Sequence, residues 1–573
     1  MTPSEGTAHS QSHHISRRAL ALGAVTAGAA GVFGIPAAAA THAPASSAVG
    51  GSRPAAGEFH ESTIFEAGDH GLAVFHVFGL AETTAGTILA FAEGRITAHD
   101  ADPHHIVVKR STDGGRTWGE MQYVRESDGV QSLINPTPLV DRDTGRIFLL
   151  FADCFKDPGN TGGSPDRSDV YLISSDDDGR TWSEPAELTS MFDGNPHGWT
   201  LHMPGPGHGL QLSDGRLVFQ VWHRRAIAFP VPERRYGVSV IYSDDAGDTW
   251  AEGGSVPLDG AYPLNESRLI ERPDGSLASF GRYASGGIHP RIVSISTDRG
   301  ETWSDPVLDA SARPVNAVDT GISRISGGVG SDEPSRLVFS RPDSPTRRNM
   351  TVSISYDEGM TWPHSRVLTE GPASYSDTIG LSDGRIGVLY GREHAPGITT
   401  SFSAKIVLAT FDLAWLTSGA DTGSARDQLP IAYEVEGLPV LDSFGGDVST
   451  VDDPVASGGR RLEIASTDYG AFVEVEITVP RTADYEVRAR FRHLANAGVV
   501  AVTVDGEPVG GPVDTSTVSV RSLKSETLGT LRLRRGRHAV RFTVVDKHVD
   551  SSGLRMSPDL ITLTPAGRSR RQE

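Results

Sequence analysis

Short apolar runs, each preceded by a turn containing Gly, Asp or Pro, recur along the first two thirds of the chain. Runs of this length are typical of β-strands, and the turn residues suit tight hairpins. Their first residues lie 59, 70, 60, 60 and 49 positions apart. An all-β series of six such units predicts a six-bladed β-propeller over residues 58–418. The runs are TILAF (87–91), RIFLLF (146–151), RLVFQV (216–221), SLASF (276–280), RLVFS (336–340) and RIGVLY (385–390).

A second pattern, S-x-D-x-G-x-T-W, falls between the strands of the first five units. Its aspartates are 113, 177, 245, 298 and 357, and it contains five of the eight tryptophans. Ser and Asp side chains hydrogen-bond to nearby backbone amides, Gly permits a positive φ, and Trp supplies a large apolar surface. Since none of these roles requires catalysis, the pattern predicts a structural turn and not five copies of a reactive site.

Apolar and polar residues also alternate beyond a small, polar linker predicted at 419–428. The alternation runs from RLEIAS (461–466) to DLITLTP (559–565), and it predicts a C-terminal β-sandwich over 429–566 followed by a disordered tail at 567–573. The sandwich loosely resembles the carbohydrate-binding modules of secreted glycosidases. A sugar-binding domain and a structural spacer both remain open for it.

The N-terminus carries Arg17 and Arg18 ahead of a weakly apolar Ala/Gly stretch that ends at Ala40. This pattern is typical of a twin-arginine export signal, so we expect a signal at 1–40, a disordered spacer at 41–57 and a secreted monomer without a permanent membrane anchor. The formal net charge of −20 argues against a nucleic-acid partner. An anionic substrate would need a local basic pocket on this acidic protein.

Several segments between the repeats carry a more specific signal. They are LAFAEGR (89–95), NPTPLVDRDTGRIFLLF (135–151), GPGHGLQLSDGRLVF (205–219), RNMTVSISYDEGMTWP (348–363), SYSD (374–377) and FDLAWL (411–416). With the repeated phrase, which is similar to the Asp box, these segments resemble bacterial exo-sialidases (neuraminidases) across 58–418. The resemblance implies a pocket at the propeller axis and no metal ion or organic cofactor. It also implies a tyrosine nucleophile, an activating glutamate, an aspartate acid/base and three arginines that clamp the substrate carboxylate.

The resemblance assigns the catalytic roles to particular residues. Tyr375 in SYSD matches the nucleophile, and a neutral tyrosine suits a substrate whose own carboxylate would repel a carboxylate nucleophile. Glu271 in NESRLIERPDG matches the glutamate that activates it, with Glu266 as the competitor five residues earlier. Asp100 in the loop HDADPHH matches the acid/base, with Asp102 as the alternative.

The arginine clamp matches the family only in part. Arg282 and Arg347 match its second and third arginines, and Arg95 is expected beside the substrate or Asp100. His76 in FHVFGL, however, stands where the family places the first clamp arginine. Gly391 in LYGRE stands where the family places the glutamate that holds it. Losing both is physically coherent, because a buried glutamate without its arginine would be costly.

Two residues are candidates to fill the gap in the clamp. His76 offers the substrate one hydrogen bond, and with an unperturbed pKa it would gain charge as the pH falls toward 6. Arg392, next to Gly391, is the other basic residue nearby in the sequence.

The sequence therefore predicts an exported, retaining exo-α-sialidase that removes terminal sialic acids from glycoconjugates. Two alternatives follow from the same residues. The altered clamp would suit a related sugar, either another nonulosonic acid or one without a carboxylate. A non-catalytic glycan-binding propeller is the alternative from a different class of protein, although such a protein has no need of Tyr375 and its activating glutamate.

Overall fold

The computed structural model describes most of the chain after the N-terminal segment. The described ranges are 57–156, 164–225, 236–258, 262–284, 287–309, 311, 314–331, 333–395, 403–424, 429–453, 456, 460–479, 481–517 and 522–565. The predicted export signal, nearly all of the predicted spacer, residues 425–428 of the predicted linker and the predicted tail lie outside them.

The first three blades are antiparallel sheets that follow one another along the chain, after strand β1 (Phe59–Glu66). Blade 1 contains β2 (Val74–Glu82), β3 (Ile88–Arg95), β4 (His104–Ser111) and β5 (Gln122–Arg125). Blade 2 contains β6 (Ser132–Val140), β7 (Ile147–Phe155), β8 (Arg167–Ser175) and β9 (Ala186–Glu187). Blade 3 contains β10 (Leu201–Pro204), β11 (Leu210–Gln211), β12 (Leu217–Arg224), β13 (Tyr236–Ser243) and β14 (Ala251–Ser255).

Three further blades complete the ring, so the described residues confirm the predicted six-bladed propeller. Blade 4 contains β15 (Leu264–Glu271), β16 (Leu277–Tyr283), β18 (Ile292–Ser296) and β19 (Val307–Leu308), with β17 (Ile288–His289) paired to β20 (Val315–Asn316) beside it. Blade 5 contains β21 (Gly321–Ser326), β22 (Arg336–Pro342), β23 (Arg348–Ser355) and the first half of β24 (His364–Gly380). Blade 6 contains the second half of β24, β25 (Ile386–His394), β26 (Ser403–Phe411) and β1.

The N-terminal strand closes the ring. β1 pairs antiparallel with β26 from Phe59 opposite Phe411 to Glu66 opposite Lys405, so the last blade contains strands from both ends of the propeller sequence. Glu61 reaches beyond β26 and accepts hydrogen bonds from Tyr390 on β25 and from Arg392. A short helix, α1 (Leu413–Thr417), follows β26, and Asp412 caps it by accepting a hydrogen bond from the Trp415 amide at 2.7 Å. None of the helices in the described ranges is long and apolar enough to cross a membrane.

The repeated phrase forms the same turn in all five copies, as predicted. In the second copy, Asp177 accepts hydrogen bonds from the Thr181 amide at 2.8 Å, the Thr181 hydroxyl at 2.7 Å and the Ser175 hydroxyl at 2.9 Å. The other four aspartates accept the same three bonds. The tryptophan then packs against the preceding blade: Trp182 lies edge-on to Phe91, and Trp250 lies edge-on to Phe148. The phrase therefore joins neighbouring blades.

Strands after the propeller form a second hydrophobic core. One sheet contains β27 (Ile431–Glu434), β32 (Ala483–His493), β36 (Ser522–Leu533) and β38 (Pro558–Pro565). The facing sheet contains β28 (Val440–Phe444), β31 (Phe472–Val479), β33 (Val499–Val504), β34 (Glu507–Pro508), β35 (Val513–Asp514) and β37 (Gly536–Asp546), and β29 (Gly446–Asp452) pairs with β30 (Arg460–Ser466). Val475, Tyr485 and Phe542 are fully buried between them. The strands alternate as the sequence predicts.

This sandwich packs against blades 4 and 5. Arg272 donates to the backbone oxygen of Ala456 at 3.1 Å, and the Thr562 hydroxyl lies 3.4 Å from Asp357, the aspartate of the fifth turn. Asp421, in the segment predicted as a linker, is buried and accepts two hydrogen bonds from Arg336 at 2.6 and 3.0 Å. This part of the predicted linker is therefore anchored to blade 5.

The turn geometry predicts that Asp177→Ala lowers thermal stability without affecting the chemistry of the protein. Losing several exposed hydrogen bonds should lower the Tm by about 1–3 °C. The Thr181 amide and hydroxyl hold the pKa of Asp177 below its ordinary value of 3.8. A depressed pKa means that the contribution is present above pH 3.8 and is lost as the pH falls further. Calorimetry at a series of pH values measures both effects.

Asp176→Ala is the matched control, because Asp176 is adjacent and its carboxylate bonds to Arg146 instead of to the turn backbone. We expect a smaller change in Tm for the control. Equal changes for the two variants would contradict the assignment of Asp177 as the residue that organises the turn.

Candidate active site

An open cleft of about 1650 Å³ lies where the innermost strands of the blades begin. His76 enters it from β2, Ile134 from β6, Leu201 from β10, Glu266 from β15 and Tyr375 from β24. A propeller brings these strands together at its axis, although they are far apart in the sequence. Of the seven predicted site residues, Glu271 does not line this cleft. The six that line it are His76, Arg95, Asp100, Arg282, Arg347 and Tyr375.

Tyr375 and Glu266 form the central contact of the cleft. The Tyr375 hydroxyl donates a hydrogen bond to Glu266 Oε1 at 2.6 Å, and the two side chains come from blades 6 and 4. Arg282 Nη1 lies 2.9 Å from the same hydroxyl and is also bonded to Glu266. Burial, and next the Glu266 carboxylate, raise the pKa of Tyr375 well above its usual value. The tyrosine is therefore a neutral phenol with a carboxylate placed to take its proton.

The sequence favours Glu271 over Glu266 as the glutamate beside Tyr375, but the structure places Glu266 there and Glu271 elsewhere. Glu271 lies at the far end of β15, where it accepts hydrogen bonds from the Ser213 amide at 2.9 Å and the Ser213 hydroxyl at 2.8 Å. Residues five apart on a strand point to opposite faces of the sheet, so only one of the two glutamates can face the axis. Strand alternation alone would have shown that the two glutamates exclude each other.

Arg95 joins two carboxylates at one side of the cleft. It donates from Nε to Glu93 at 2.7 Å and from Nη1 to Asp100 at 2.8 Å. The Asp100 side chain is 53% exposed, whereas Glu93 is fully buried. Asp102, the alternative to Asp100, bonds to the Thr97 hydroxyl at 2.6 Å within its own loop and does not line the cleft. Asp100 is therefore the aspartate that faces the open cleft.

Glu93 is a site residue that the sequence reasoning missed. Burial raises its pKa to about 7, although Arg95 and the Asn135 amide, which donates at 2.8 Å, act in the opposite direction. Its position could have indicated its role, since Glu93 and Arg95 lie two apart on one strand and share a face. Glu93 fixes Arg95, and Arg95 holds Asp100.

Two arginines, Arg282 and Arg347, lie beside Tyr375. Arg347 lies over the Tyr375 ring, with its guanidinium carbon 5.5 Å from the ring centre, and it donates to the Ala317 backbone oxygen at 2.9 Å. Among the described residues, no carboxylate lies within ion-pair distance of Arg347. Arg282, by contrast, is paired with Glu266. Within the described part of the chain, Arg347 is therefore a guanidinium of the cleft with no carboxylate of its own.

His76 packs beside the tyrosine, with ring centres 4.8 Å apart, and only 5% of it is exposed. Burial, followed by the charges of Arg95 and Arg347, lowers the pKa of His76 well below 6.5. The expectation that His76 gains charge as the pH falls toward 6 is therefore wrong. A neutral imidazole occupies the place where the resemblance implies an arginine.

The space beside Gly391, where the resemblance implies a glutamate, is filled by two serine side chains. A Cβ at Gly391 would lie 2.2 Å from Ser374 Oγ and 2.4 Å from Ser403 Oγ, and these two hydroxyls hydrogen-bond at 2.9 Å. A glutamate cannot enter without displacing them. Arg392 does not fill the gap, because it pairs with Glu61 outside the cleft. Of these two candidates, only His76 lines the cleft.

The chain matches known proteins along the propeller. The family described as "BNR repeat-like domain" matches residues 86–388. The chain is 32% identical over 391 residues to a sialidase of Micromonospora viridifaciens, which covers 65% of this chain and 57% of that protein. It is 30% identical over 379 residues to an exo-alpha-sialidase of Aspergillus fumigatus, which covers 61% and 86% respectively. The chain belongs to the BNR-repeat sialidase family.

Solved structures of the sialidase family have the same fold. A Hadza microbial sialidase is 27% identical, with a TM-score of 0.53 over 62% of this chain and 69% of that one. A leech intramolecular trans-sialidase is 20% identical with a TM-score of 0.52, which is evidence for the fold alone. The match spans 57% and 61% of the lengths of the Micromonospora viridifaciens and Bacteroides fragilis sialidases, so much of those relatives has no counterpart in it.

The environment of His76 predicts that its imidazole stays neutral throughout the range in which ordinary histidines titrate. NMR of the protein labelled with ¹³C in its histidine rings, compared with His76→Asn, identifies the His76 signal. Because its pKa is lowered, we expect that signal not to move between about pH 8 and pH 5.5, while exposed histidines titrate near 6.5. A His76 midpoint at or above 6.5 would contradict this description of the cleft.

Proposed function

We propose that this sialidase family member is a retaining exo-α-sialidase that hydrolyses terminal sialic acids from glycoconjugates. The observation that carries the proposal is the 2.6 Å hydrogen bond from the Tyr375 hydroxyl to Glu266 at the base of the cleft. A nucleophile in contact with its base is the arrangement that covalent catalysis requires. The names of the related sialidases and the guanidinium groups beside the tyrosine support the same reaction.

In the first step, Tyr375 Oη attacks the anomeric carbon of the sugar while its proton passes to Glu266. The bond to the leaving oxygen breaks, and Asp100 donates a proton to that oxygen. The sugar is then covalently attached to Tyr375. The neutral state of Tyr375 suits this step, because the phenolic proton leaves only as the new bond forms, and Glu266 is already hydrogen-bonded to it.

In the second step, Asp100 removes a proton from water, and the water oxygen attacks the anomeric carbon from the side the leaving group vacated. The bond to Tyr375 breaks, and Glu266 returns the proton to the phenolate oxygen. Two inversions give net retention. The 53% exposure of Asp100 suits both tasks, since it must meet a leaving group and then water. Arg95 and Glu93 hold its carboxylate in place.

The substrate carboxylate fits beside Arg282 and Arg347. A carboxylate placed there supplies Arg347 with the ion-pair partner that the described residues do not provide, and bidentate contact with a guanidinium is strong and directional. His76 contributes a neutral hydrogen-bonding group in place of a third charge. The clamp therefore binds a single carboxylate with two arginines.

The setting in which the enzyme works belongs to the same proposal. The N-terminal Arg17 and Arg18 support export by the twin-arginine route, and sialylated glycans outside the cell are the partners that this route makes accessible. We propose a secreted monomer that acts on such glycans. The reaction as written uses no metal ion or organic cofactor.

A panel of fluorogenic glycosides tests the reaction directly. We expect turnover of the α-sialoside and none of neutral glycosides. Tyr375→Phe removes the nucleophilic oxygen and nothing else, so kcat should fall by at least about a thousandfold while the fold is unchanged. A folded Tyr375→Phe protein with the kcat of the wild type would contradict the mechanism, and absence of any sialoside turnover by the wild type would contradict the function.

The corrected assignment of the base gives a second test with a matched control. Glu266→Gln keeps the size of the side chain but cannot accept the proton of Tyr375, so kcat should fall by about 10²–10⁴-fold. Glu271→Gln changes the same residue type on the same strand, and it should leave kcat within about twofold because it affects only the contact with Ser213. The reverse order of effects would restore Glu271 as the base.

A further inference from the structure

A second layer of charged side chains lies directly beneath the tyrosine and its base. Arg268 lies two residues after Glu266 on β15, and Asp377 lies two residues after Tyr375 on β24, so each side chain points the same way as its predecessor. Arg268 Nη2 donates to Asp319 at 2.5 Å, and Arg268 Nε lies 3.7 Å from Asp377. All three side chains are buried, at 1%, 2% and 0% exposure respectively for Arg268, Asp319 and Asp377.

This layer connects blade 4 to blades 5 and 6, with which the strands of blade 4 share no pairing in the described residues. Arg268 comes from blade 4, and it also donates to the backbone oxygen of Ser376 in blade 6 at 3.2 Å. Asp319 lies two residues before β21, the inner strand of blade 5. Asp377 accepts a hydrogen bond from the Leu80 amide of blade 1 at 2.9 Å, and its Oδ1 lies 2.9 Å from His208 Nδ1 in blade 3. Arg268 is thus at the centre of a set of contacts among five blades.

The packing leaves the Arg268 guanidinium little freedom to move. Gly207, in the segment GPGHG, has a φ of +89°, and a Cβ there would lie 2.2 Å from Arg268 Cζ. The loop backbone therefore lies directly against the guanidinium, which only glycine allows. This contact gives a physical explanation for Gly207 in the motif GPGHG, which the catalytic steps do not use.

We propose that Arg268 is a positioning residue for the reaction: by tying Asp319 and Asp377 together beneath the cleft, it fixes the distance between Glu266 and Tyr375. The inference rests on the proposed function. In the described part of the chain β15 and β24 belong to different sheets and share no backbone ladder, so no strand pairing fixes the distance from Glu266 to the Tyr375 hydroxyl. The charged layer lies next to this contact, because Arg268 and Asp377 are each two residues along their strands from Glu266 and Tyr375.

The layer also sets the charge near the base. Burial raises the pKa of Asp319 to about 7, and Glu266 and Asp377 add to the rise while Arg268 opposes it. Burial alone would raise the pKa of Asp377 as well, but His208 and Arg268 together lower it below its usual value. Removing the Arg268 charge would leave three carboxylates with one cation fewer among them. The charged or titratable groups facing this region are Glu266, Arg268, Arg282, Asp319, Tyr375, Asp377 and His208.

Two variants separate the geometric effect from the electrostatic one. Arg268→Lys keeps the charge but loses the planar fork that spans two carboxylates, so we expect kcat to fall about tenfold with KM within about threefold and the pH profile unchanged. Arg268→Met also removes the charge, so we expect kcat to fall about a hundredfold and the acidic limb of the kcat profile to move to higher pH. If Arg268→Met does not fold, Arg268→Lys alone carries the test.

The controls are the same two substitutions at Arg336, which forms a buried pair with Asp421 away from the cleft. Arg336→Lys and Arg336→Met should lower the Tm and leave kcat per folded molecule and the pH profile unchanged. A wild-type kcat for Arg268→Lys would overturn the proposal, because Arg268 would then have no effect on the reaction. An equal loss of kcat for Arg336→Lys would also overturn it, because the loss would then be a general effect of destabilisation.

Hydrogen exchange keeps this test independent of the proposed function. We expect Arg268→Lys to speed backbone exchange in 264–271 and 373–380, and Arg336→Lys to leave exchange in these two segments unchanged. If the wild type turns over no sialoside, the proposed function fails. Faster exchange in the Arg268 variant would still support the proposal that Arg268 holds Asp319 and Asp377 together. Unchanged exchange in Arg268→Lys would overturn this role of Arg268 even in an active enzyme.

Discussion

The arrangement of this protein depends on bringing side chains from separate sheets into contact at one axis. A propeller achieves this by closing a ring, and here the pairing of β1 with β26 makes the closure. Backbone hydrogen bonds then hold each blade together, but they do not run from blade 4 to blade 6, where Glu266 and Tyr375 originate. Their contact at 2.6 Å therefore depends on the ring being closed and on the buried charges that cross the axis below them. Catalytic geometry in such a fold is a property of the whole ring.

The sequence predicted those parts of the structure that repeat. The five S-x-D-x-G-x-T-W phrases and the six apolar runs predict the propeller, because each blade needs a similar turn and similar packing and therefore similar residue types. Tyr375, Asp100, Arg282 and Arg347 followed from a resemblance carried by local motifs. Residues that act once and across blades were not visible in this way. Arg268 and Asp319 occur in no repeated pattern, and only the folded ring places them together. Glu271 was preferred to Glu266 because motif position was weighed without the alternation of the strand.

The departure at His76 is better understood from the structure than from the sequence. The resemblance implies an arginine at 76 and a glutamate at 391, and this chain lacks both. Losing a cation together with its anion leaves the net charge of the cleft unchanged, so the change leaves no buried ion without its partner. Ser374 and Ser403 occupy the place beside Gly391 and satisfy each other by a hydrogen bond at 2.9 Å. His76 stays neutral in the same neighbourhood because burial and the nearby arginines oppose its protonation.

This charge balance also explains how two arginines suffice to recognise an anion. Arg95 is committed to Glu93 and Asp100, and Arg282 is committed to Glu266 before any ligand arrives. Arg347 is different, because it lies over the Tyr375 ring and, within the described ranges, its hydrogen-bond partner is a backbone oxygen. A half-buried guanidinium that pairs with no carboxylate of the described residues favours an anionic ligand, and in the proposed function the ligand's charge would be held within reach of Tyr375. In the proposed function, an additional arginine at 76 would strengthen binding, but the charge of Arg347 already matches a substrate with a single carboxylate. In the proposed reaction, recognition and catalysis thus use the same small group of charges, arranged around a tyrosine that remains neutral until it reacts.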